Sequence, residues 1–320
     1  MEPIARLSLE TIEAAAGRIR GTAVRTPLLR LHLDDAPCSL WLKLENLQPI
    51  GSFKIRGAAA AMTRVDPTEL RRGVYTGSAG NMAQGVAWSA RRLGIPCRVV
   101  VPDAAPRAKL DAIERLGATW VAKPFAEWWS VLTNHGHPDE DGFFVHPVSD
   151  PEVIAGNGTV GLEILEDLPD VDAIVVPYGG GGLSCGIACA VKARRPDVRV
   201  YAAEVETAAP FAASLEAGGP VEVERVATFV DGIGSTGLLP EMWPLASSVL
   251  DGSLVTSLDE ICDAIRLLVA RARVVAEGAG GAAVAGALTG AAGGGNVVAV
   301  VSGGNIDPHV LAAILEGSTP

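Results

Sequence analysis

Apolar positions along this chain fall into two rhythms, one repeating every second residue or running unbroken, the other returning every third or fourth. Leu40-Trp41-Leu42-Lys43-Leu44-Glu45 alternates apolar and charged side chains, which predicts a half-buried strand, and the alanine-rich stretch at 58–62 predicts a helix. Further strands are expected at 74–76, 97–101, 119–122, 173–177, 198–203 and 297–301. Helical spacing marks 8–20, 82–93, 106–116, 151–165, 183–194 and 258–271, with Gly94 and Gly117 as stop signals. Strands that alternate with helices in this way predict an α/β protein with mostly parallel sheets covered by helices. Between 125 and 142 the periodicity fails, and Trp128, Trp129, His135 and His137 are expected in a loop.

A chain of 320 residues with 48% hydrophobic and 20% charged residues can bury a large core as two domains or one large α/β unit. The formal net charge of -11 leaves no basic footprint for nucleic acid. The uncharged run 278–306 is mostly alanine and glycine, broken by Gly293-Gly294-Gly295-Asn296, and reads as a buried helix and a core strand rather than a membrane span. Five cysteines without paired spacing, and no cationic leader ahead of an apolar stretch, place the expectation in the cytoplasm. Cys185 and Cys189 read as core thiols, and His135-Gly136-His137 lacks a carboxylate or cysteine at ligand spacing.

The chemistry gathers at the turns after strands. Lys54 lies between the strand at 40–45 and the helix, with Ser52 as the expected N-cap. There the positive end of the helix dipole and burial both favour the neutral amine, a nucleophile suited to Schiff-base chemistry. Gly179-Gly180-Gly181-Gly182-Leu183 follows a buried strand and opens a helix, an anion cradle of backbone N–H groups. No register of it supplies the dinucleotide glycine pattern, so a single phosphate is the better match. Two more glycine-rich turns, at Glu277-Gly278-Ala279-Gly280 and Ser302-Gly303-Gly304-Asn305, lie where α/β sheets place ligands.

A Schiff-base lysine, one phosphate cradle and two further strand-end turns match the requirements of pyridoxal phosphate. The motifs Gly51-Ser52-Phe53-Lys54-Ile55-Arg56-Gly57-Ala58, Ser78-Ala79-Gly80-Asn81, Gly179 to Leu183 and Ser302-Gly303-Gly304-Asn305 resemble, in order and over nearly the whole chain, the fold-type II pyridoxal-phosphate enzymes. The branch resembled is that of the threonine and serine dehydratases (ammonia-lyases) and serine racemases, and His146-Pro147 with 153–159 is similar to it too. The resemblance implies a tryptophan-synthase-β-like fold of two domains, each with a twisted, mostly parallel sheet flanked by helices. The large cofactor-binding domain would comprise 1–72 and 150–320, and a small mobile domain 73–149.

The resemblance also implies roles. Lys54 would form the Schiff base and take the substrate Cα proton, Phe53 would pack on the cofactor ring, and Asn81 would bond its phenolic oxygen. The amides of Gly179, Gly180, Gly181, Gly182 and Leu183 would hold the phosphate, Ser302 would face the ring nitrogen, and Gly303 and Glu277 would complete the cofactor site. Ser78, Ala79, Gly80, Asn81 and Met82 would bind the substrate carboxylate. The implied reaction is dehydration and deamination of a 3-hydroxy-L-amino acid, by default L-threonine or L-serine, to a 2-oxo acid and ammonia. Serine racemases resemble this turn but carry a second serine where Ala79 stands, and alanine cannot transfer a proton. Racemisation, β-replacement and a non-catalytic pyridoxal-phosphate-binding role are the alternatives. Met82 in place of a usual histidine, Ile50 in place of threonine, and Trp128 and Trp129 raise the prospect of a bulkier substrate such as phenylserine. Glu204 falls where relatives place one ligand of a structural cation, but Pro210 occupies the partner position. A homodimer without membrane or nucleic-acid partners completes the expectation.

Overall fold

The computed structural model describes residues 2–320. Among these described residues ten strands are formed: β1 (Leu28–Arg30), β2 (Ser39–Leu44), β3 (Val74–Gly77), β4 (Cys97–Pro102), β5 (Thr119–Lys123), β6 (Phe143–Phe144), β7 (Ala173–Pro177), β8 (Arg199–Val205), β9 (Gly252–Thr256) and β10 (Asn296–Val301). The first six α-helices are α1 (Leu9–Arg18), α2 (Lys54–Arg64), α3 (Asn81–Leu93), α4 (Arg107–Arg115), α5 (Phe125–Thr133) and α6 (Pro151–Asp167). The remaining six are α7 (Gly182–Arg194), α8 (Pro210–Ala217), α9 (Trp243–Val249), α10 (Leu258–Leu267), α11 (Gly278–Leu288) and α12 (Pro308–Leu315).

The strands build two sheets, one in the order β1-β2-β10-β7-β8-β9 and one in the order β5-β4-β3-β6. All pairings are parallel except β1 with β2. Parallel sheets need both faces covered, and the side chains of β10 show how this is met. Val298 and Val300 pack with α1, α6 and α7, while Val297, Ala299 and Val301 pack with α10 and α11. Because β2, β10 and β7 are adjacent and parallel, the turns after them share one rim. Those turns carry Lys54, Ser302 and the 179–183 loop. The second sheet brings the turn after β3 to the same place.

Two packing devices fix the lysine helix. The first is a buried quartet of charges. Arg56 donates from Nε and a terminal nitrogen to Glu45, each at 2.8 Å, and at 2.7 Å to Glu163, while Lys43 reaches Glu163 at 2.6 Å. Thr26 donates to Glu45 at 2.5 Å. Lys43 and Glu45 are therefore fully buried, not on the solvent side that a half-buried strand would give them. The alternation holds, but its charged face meets partners instead of water. The second device is a seam of small residues along α6. A side chain at Gly156 would collide with the Arg56 carbonyl of α2, and one at Gly158 would lie 2.7 Å from the Gly186 carbonyl of α7. Glycine at these positions lets α6 hold α2 and α7 at close spacing.

The stretch expected as a loop at 125–142 begins with α5, entered through Pro124. Its periodicity is obscured because apolar side chains surround it: Trp128 is half-buried while Phe125 and Trp129 are exposed. Among the described residues no helix is long and apolar enough to cross a membrane. All five cysteines are free and buried, and burial pushes the Cys185 thiol upward, in keeping with packing roles for it and Cys189.

Candidate active site

Lys54 is the first residue of α2, but Ser52 is not its cap. Phe53 occupies the N-cap, and Ser52 is buried, its hydroxyl without a partner among the described residues and its backbone bridging to Gly303. The lysine turn is stitched to the turn after β10: the Phe53 N–H donates to the Ser302 carbonyl at 3.0 Å and the Gly304 N–H to the Gly51 carbonyl at 2.9 Å. Backbone pairing supplies what the serine side chain was expected to supply.

The Lys54 Nζ lies 5.1 Å from the Phe53 ring centre and donates to the Pro147 carbonyl at 2.9 Å. Burial lowers its pKa to about 8, with the field of Glu277 opposing the shift. No carboxylate oxygen lies within ion-pair distance of it among the described residues. The amine is thus an accessible base and nucleophile near neutral pH. Pro147 is held by its neighbours: His146 Nδ1 accepts the N–H groups of Val148 and Ser149 at 3.1 and 2.7 Å, and burial drives that imidazole down to about 3.

A cavity of about 500 Å³ opens in front of Lys54. Phe53, Asn81, Glu277 and Ser302 line it, as do Gly179 to Leu183 and Ser78 to Met82. Gly303 stands behind the wall, its carbonyl accepting the Glu277 N–H at 3.0 Å. The Asn81 side-chain nitrogen lies 2.9 and 3.1 Å from the two Glu277 carboxylate oxygens, and burial raises that carboxyl to about 7. At the start of α3, Ser78 accepts the Gly80 N–H at 3.2 Å, and the next amides, in the first helical turn, have no helical acceptor.

The donor set fits pyridoxal phosphate on three counts. The N–H groups of Gly179, Gly180 and Gly181 have no acceptor among the described residues, and α7 begins directly after them, with Gly181 in the left-handed conformation that turns the loop. The Ser302 hydroxyl, on the cavity wall, makes no hydrogen bond among them either. The lysine amine lines the same cavity. A phosphate, a ring acceptor and an aldehyde carbon answer the three in turn.

Glu204 lies outside the cavity lining. Its oxygens accept the N–H groups of Phe211 and Ala212 at 2.9 and 2.8 Å and the Ser253 hydroxyl at 2.6 Å, so it serves the N-terminus of α8. No cluster of three metal-ligating side chains among the described residues includes it. The His135-Gly136-His137 pair has no carboxylate at ligand spacing in the sequence, yet folding brings Glu127 and Asp139 to His137, with the Lys123 ammonium paired to both. His135 turns elsewhere, to Glu241 at 3.3 Å.

Several wall residues had no signal in the motifs. Phe125 and Leu132 enter from α5 beside Trp128, which the sequence singles out, Lys109 from α4, and Arg225, Asp231 and Ile233 from the long irregular segment before α9. The segment's length without regular structure was the available clue, since such loops in compact domains are commonly functional. Trp128 faces the cavity, and Trp129 does not.

A family model described as pyridoxal-phosphate dependent enzyme matches residues 19–303. An L-threonine ammonia-lyase of Thermotoga maritima is 40% identical over 286 residues, 88% of this chain and 71% of that protein. The catabolic L-threonine dehydratase of Escherichia coli is 36% identical over 291 residues, 88% of this chain and 87% of that one. Among solved structures, maize serine racemase matches with a TM-score of 0.89 and 31% identity over 98% of both chains.

Proposed function

The chain belongs to the pyridoxal-phosphate dependent enzyme family, and from that premise we propose that it is a lyase converting a 3-hydroxy-L-amino acid to a 2-oxo acid and ammonia. L-Threonine or L-serine is the default substrate, as the names of the relatives suggest. The carrying observation is that Lys54, an amine bonded only to a carbonyl oxygen, and Ala79, which has no proton to transfer, line the same cavity.

When bound, pyridoxal phosphate withdraws electrons from the Cα of an amino acid attached to it. The residues of the chain do the rest. Amides of 179–183 would hold the phosphate at the positive end of α7, and Phe53 would pack against the ring. The Ser302 hydroxyl would serve the ring nitrogen and, unlike a carboxylate, would not hold a proton on it, which makes the ring a weaker electron sink. The first amides of α3 bind the substrate carboxylate. Lys54 Nζ takes the Cα proton, the β-hydroxyl departs as water, and the released unsaturated amine hydrolyses to the oxo acid and ammonia. Ala79 has no proton to offer, which argues against racemisation.

A second reading follows from Met82, Phe125, Trp128 and Leu132 on the wall: an apolar flank suits a bulkier β-substituent such as that of phenylserine. We further propose that 73–149 closes over the site as a mobile unit, that the enzyme is a cytoplasmic homodimer, and that any cation at Glu204 is structural. Absorbance spectra taken with L-threonine, L-serine and L-threo-phenylserine, with oxo acid assayed alongside, test the activity. Oxo acid formed by the wild type and absent in Lys54→Ala supports the lyase. A yellow protein forming oxo acid from none of the three overturns it, and a higher kcat/KM for phenylserine than for threonine selects the second reading.

A further inference from the structure

Asn81 is held at both ends, and the chemistry of its holders fixes which way round it sits. The Ile50 carbonyl can only accept, so Asn305 must turn its NH2 group toward it, at 2.9 Å. The same nitrogen reaches Asn81 Oδ1 at 2.7 Å. At the other end an ionised Glu277 can only accept, so the Asn81 NH2 must face it, as the 2.9 and 3.1 Å distances require. The two ends agree. Both carboxylate oxygens lie on one side of the Asn81 nitrogen and subtend a far smaller angle there than its two N–H bonds do. One N–H therefore serves the carboxylate, and the second has no acceptor among the described residues, on a side chain that lines the cavity.

We propose that Glu277 is a positioning residue: by holding the Asn81 amide it presents an N–H donor to the cofactor's oxygen, and its ionisation sets how firmly that donor is held. Residues 81, 277 and 305 come from α3, the turn before α11 and the turn after β10, so the chain of bonds also joins the two sheets. The charged groups whose fields reach Glu277 are Lys54 from α2, Lys109 from α4 and Asp231 from the irregular segment. Burial and Asp231 raise the carboxyl to about 7 against Asn81 and Lys109. Above that pH the Asn81 contact is charge-assisted, and below it becomes a neutral bond of about half the strength. The inference rests on cofactor binding in this cavity and not on the lyase reaction.

The test reads binding. Quenching of tryptophan fluorescence by added pyridoxal phosphate gives Kd for the cofactor-free protein at pH 6 and pH 8. Glu277→Gln keeps an acceptor for Asn81 and removes the titration. The ratio of Kd at pH 6 to Kd at pH 8 is expected to be about threefold larger with Glu277 present than in this variant. Titration of the free cofactor is common to both proteins, but loss of the Glu277 field also moves Lys54, so both ratios are measured on a Lys54→Met background, where equal ratios overturn the proposal. A cycle of Glu277→Ala, Asn81→Ala and the double variant supplies the second arm. Each single change is expected to weaken binding about tenfold, and the double variant to lose no more than Asn81→Ala. Additive losses would show that Glu277 does not act through Asn81. If Glu277→Ala does not fold, the glutamine arm decides alone, and loss of lyase activity with both binding results intact would count against the reaction only.

Discussion

Lys54 and Arg56 stand two residues apart on one helix, both withdrawn from water, and the protein treats their charges in opposite ways. Arg56 meets two carboxylates in a fork geometry that keeps its charge permanent, its pKa driven further up by Glu45 and Glu163 against the cost of burial. Lys54 meets one carbonyl oxygen, and its pKa falls. The difference teaches that burial alone does not decide what a cation does. Paired, it is an anchor; left with a neutral acceptor, it is a reagent.

Substitutions at the two positions should therefore separate activity from stability. Lys54→Ala should lower oxo-acid formation by about 10⁴-fold, roughly 5 kcal/mol, while denaturant unfolding of the cofactor-free protein shows no loss of stability. Arg56→Met should do the reverse to the scaffold, costing about 3–5 kcal/mol in the same unfolding measurement because Glu45 is left buried without its partner. Equal stability of these two variants would remove the distinction.

Lys54→Met sharpens it from the other side. Between about 8 and the ordinary lysine value of 10.5 the folded amine has released a proton that the unfolded chain still holds. Stability therefore rises with pH across that window, and below it the native charge is a burden. At pH 7 the cofactor-free Lys54→Met protein should be more stable than wild type by roughly 1–3 kcal/mol, a gain that disappears above the upper limit. A gain that persists at high pH would point to packing rather than charge. The smallest effect belongs to Thr26→Val, which removes one hydroxyl from Glu45 and should cost about 1–2 kcal/mol by thermal or urea unfolding.

Much of this arrangement was readable from local pattern. The alternation of strands and helices and the order of the glycine-rich turns depend on near neighbours, and β7, α7 and β10 fall where spacing placed them. What escaped depends on residues far apart in the chain. Lys43 and Glu45 looked like a solvent face because their partners, Arg56 and Glu163, lie on two different helices. Ser52 looked like a cap because nothing nearby shows that Ser302 and Gly303 pair with that turn. The Asn81 and Glu277 contact spans 196 positions. The helix at Phe125–Thr133 was hidden for a local reason, since aromatic side chains around its circumference blur the apolar stripe that marks an amphipathic helix.

The position of β10 bears on how the molecule is made. Its neighbours β2 and β7 are synthesised well before it, and it must slot between them. At ribosomal speeds of about 5–20 residues per second, some tens of seconds separate the emergence of β2 from that of β10. The smaller sheet, whose strands lie within one continuous stretch of chain, can assemble in that interval through short-range contacts. The larger sheet cannot close before its central strand is made, because β2 and β7 pair with β10 and not with each other. The rim that carries Lys54 and Ser302 is therefore complete only when β10 stands between β2 and β7, which ties the ligand site to a strand made late in synthesis.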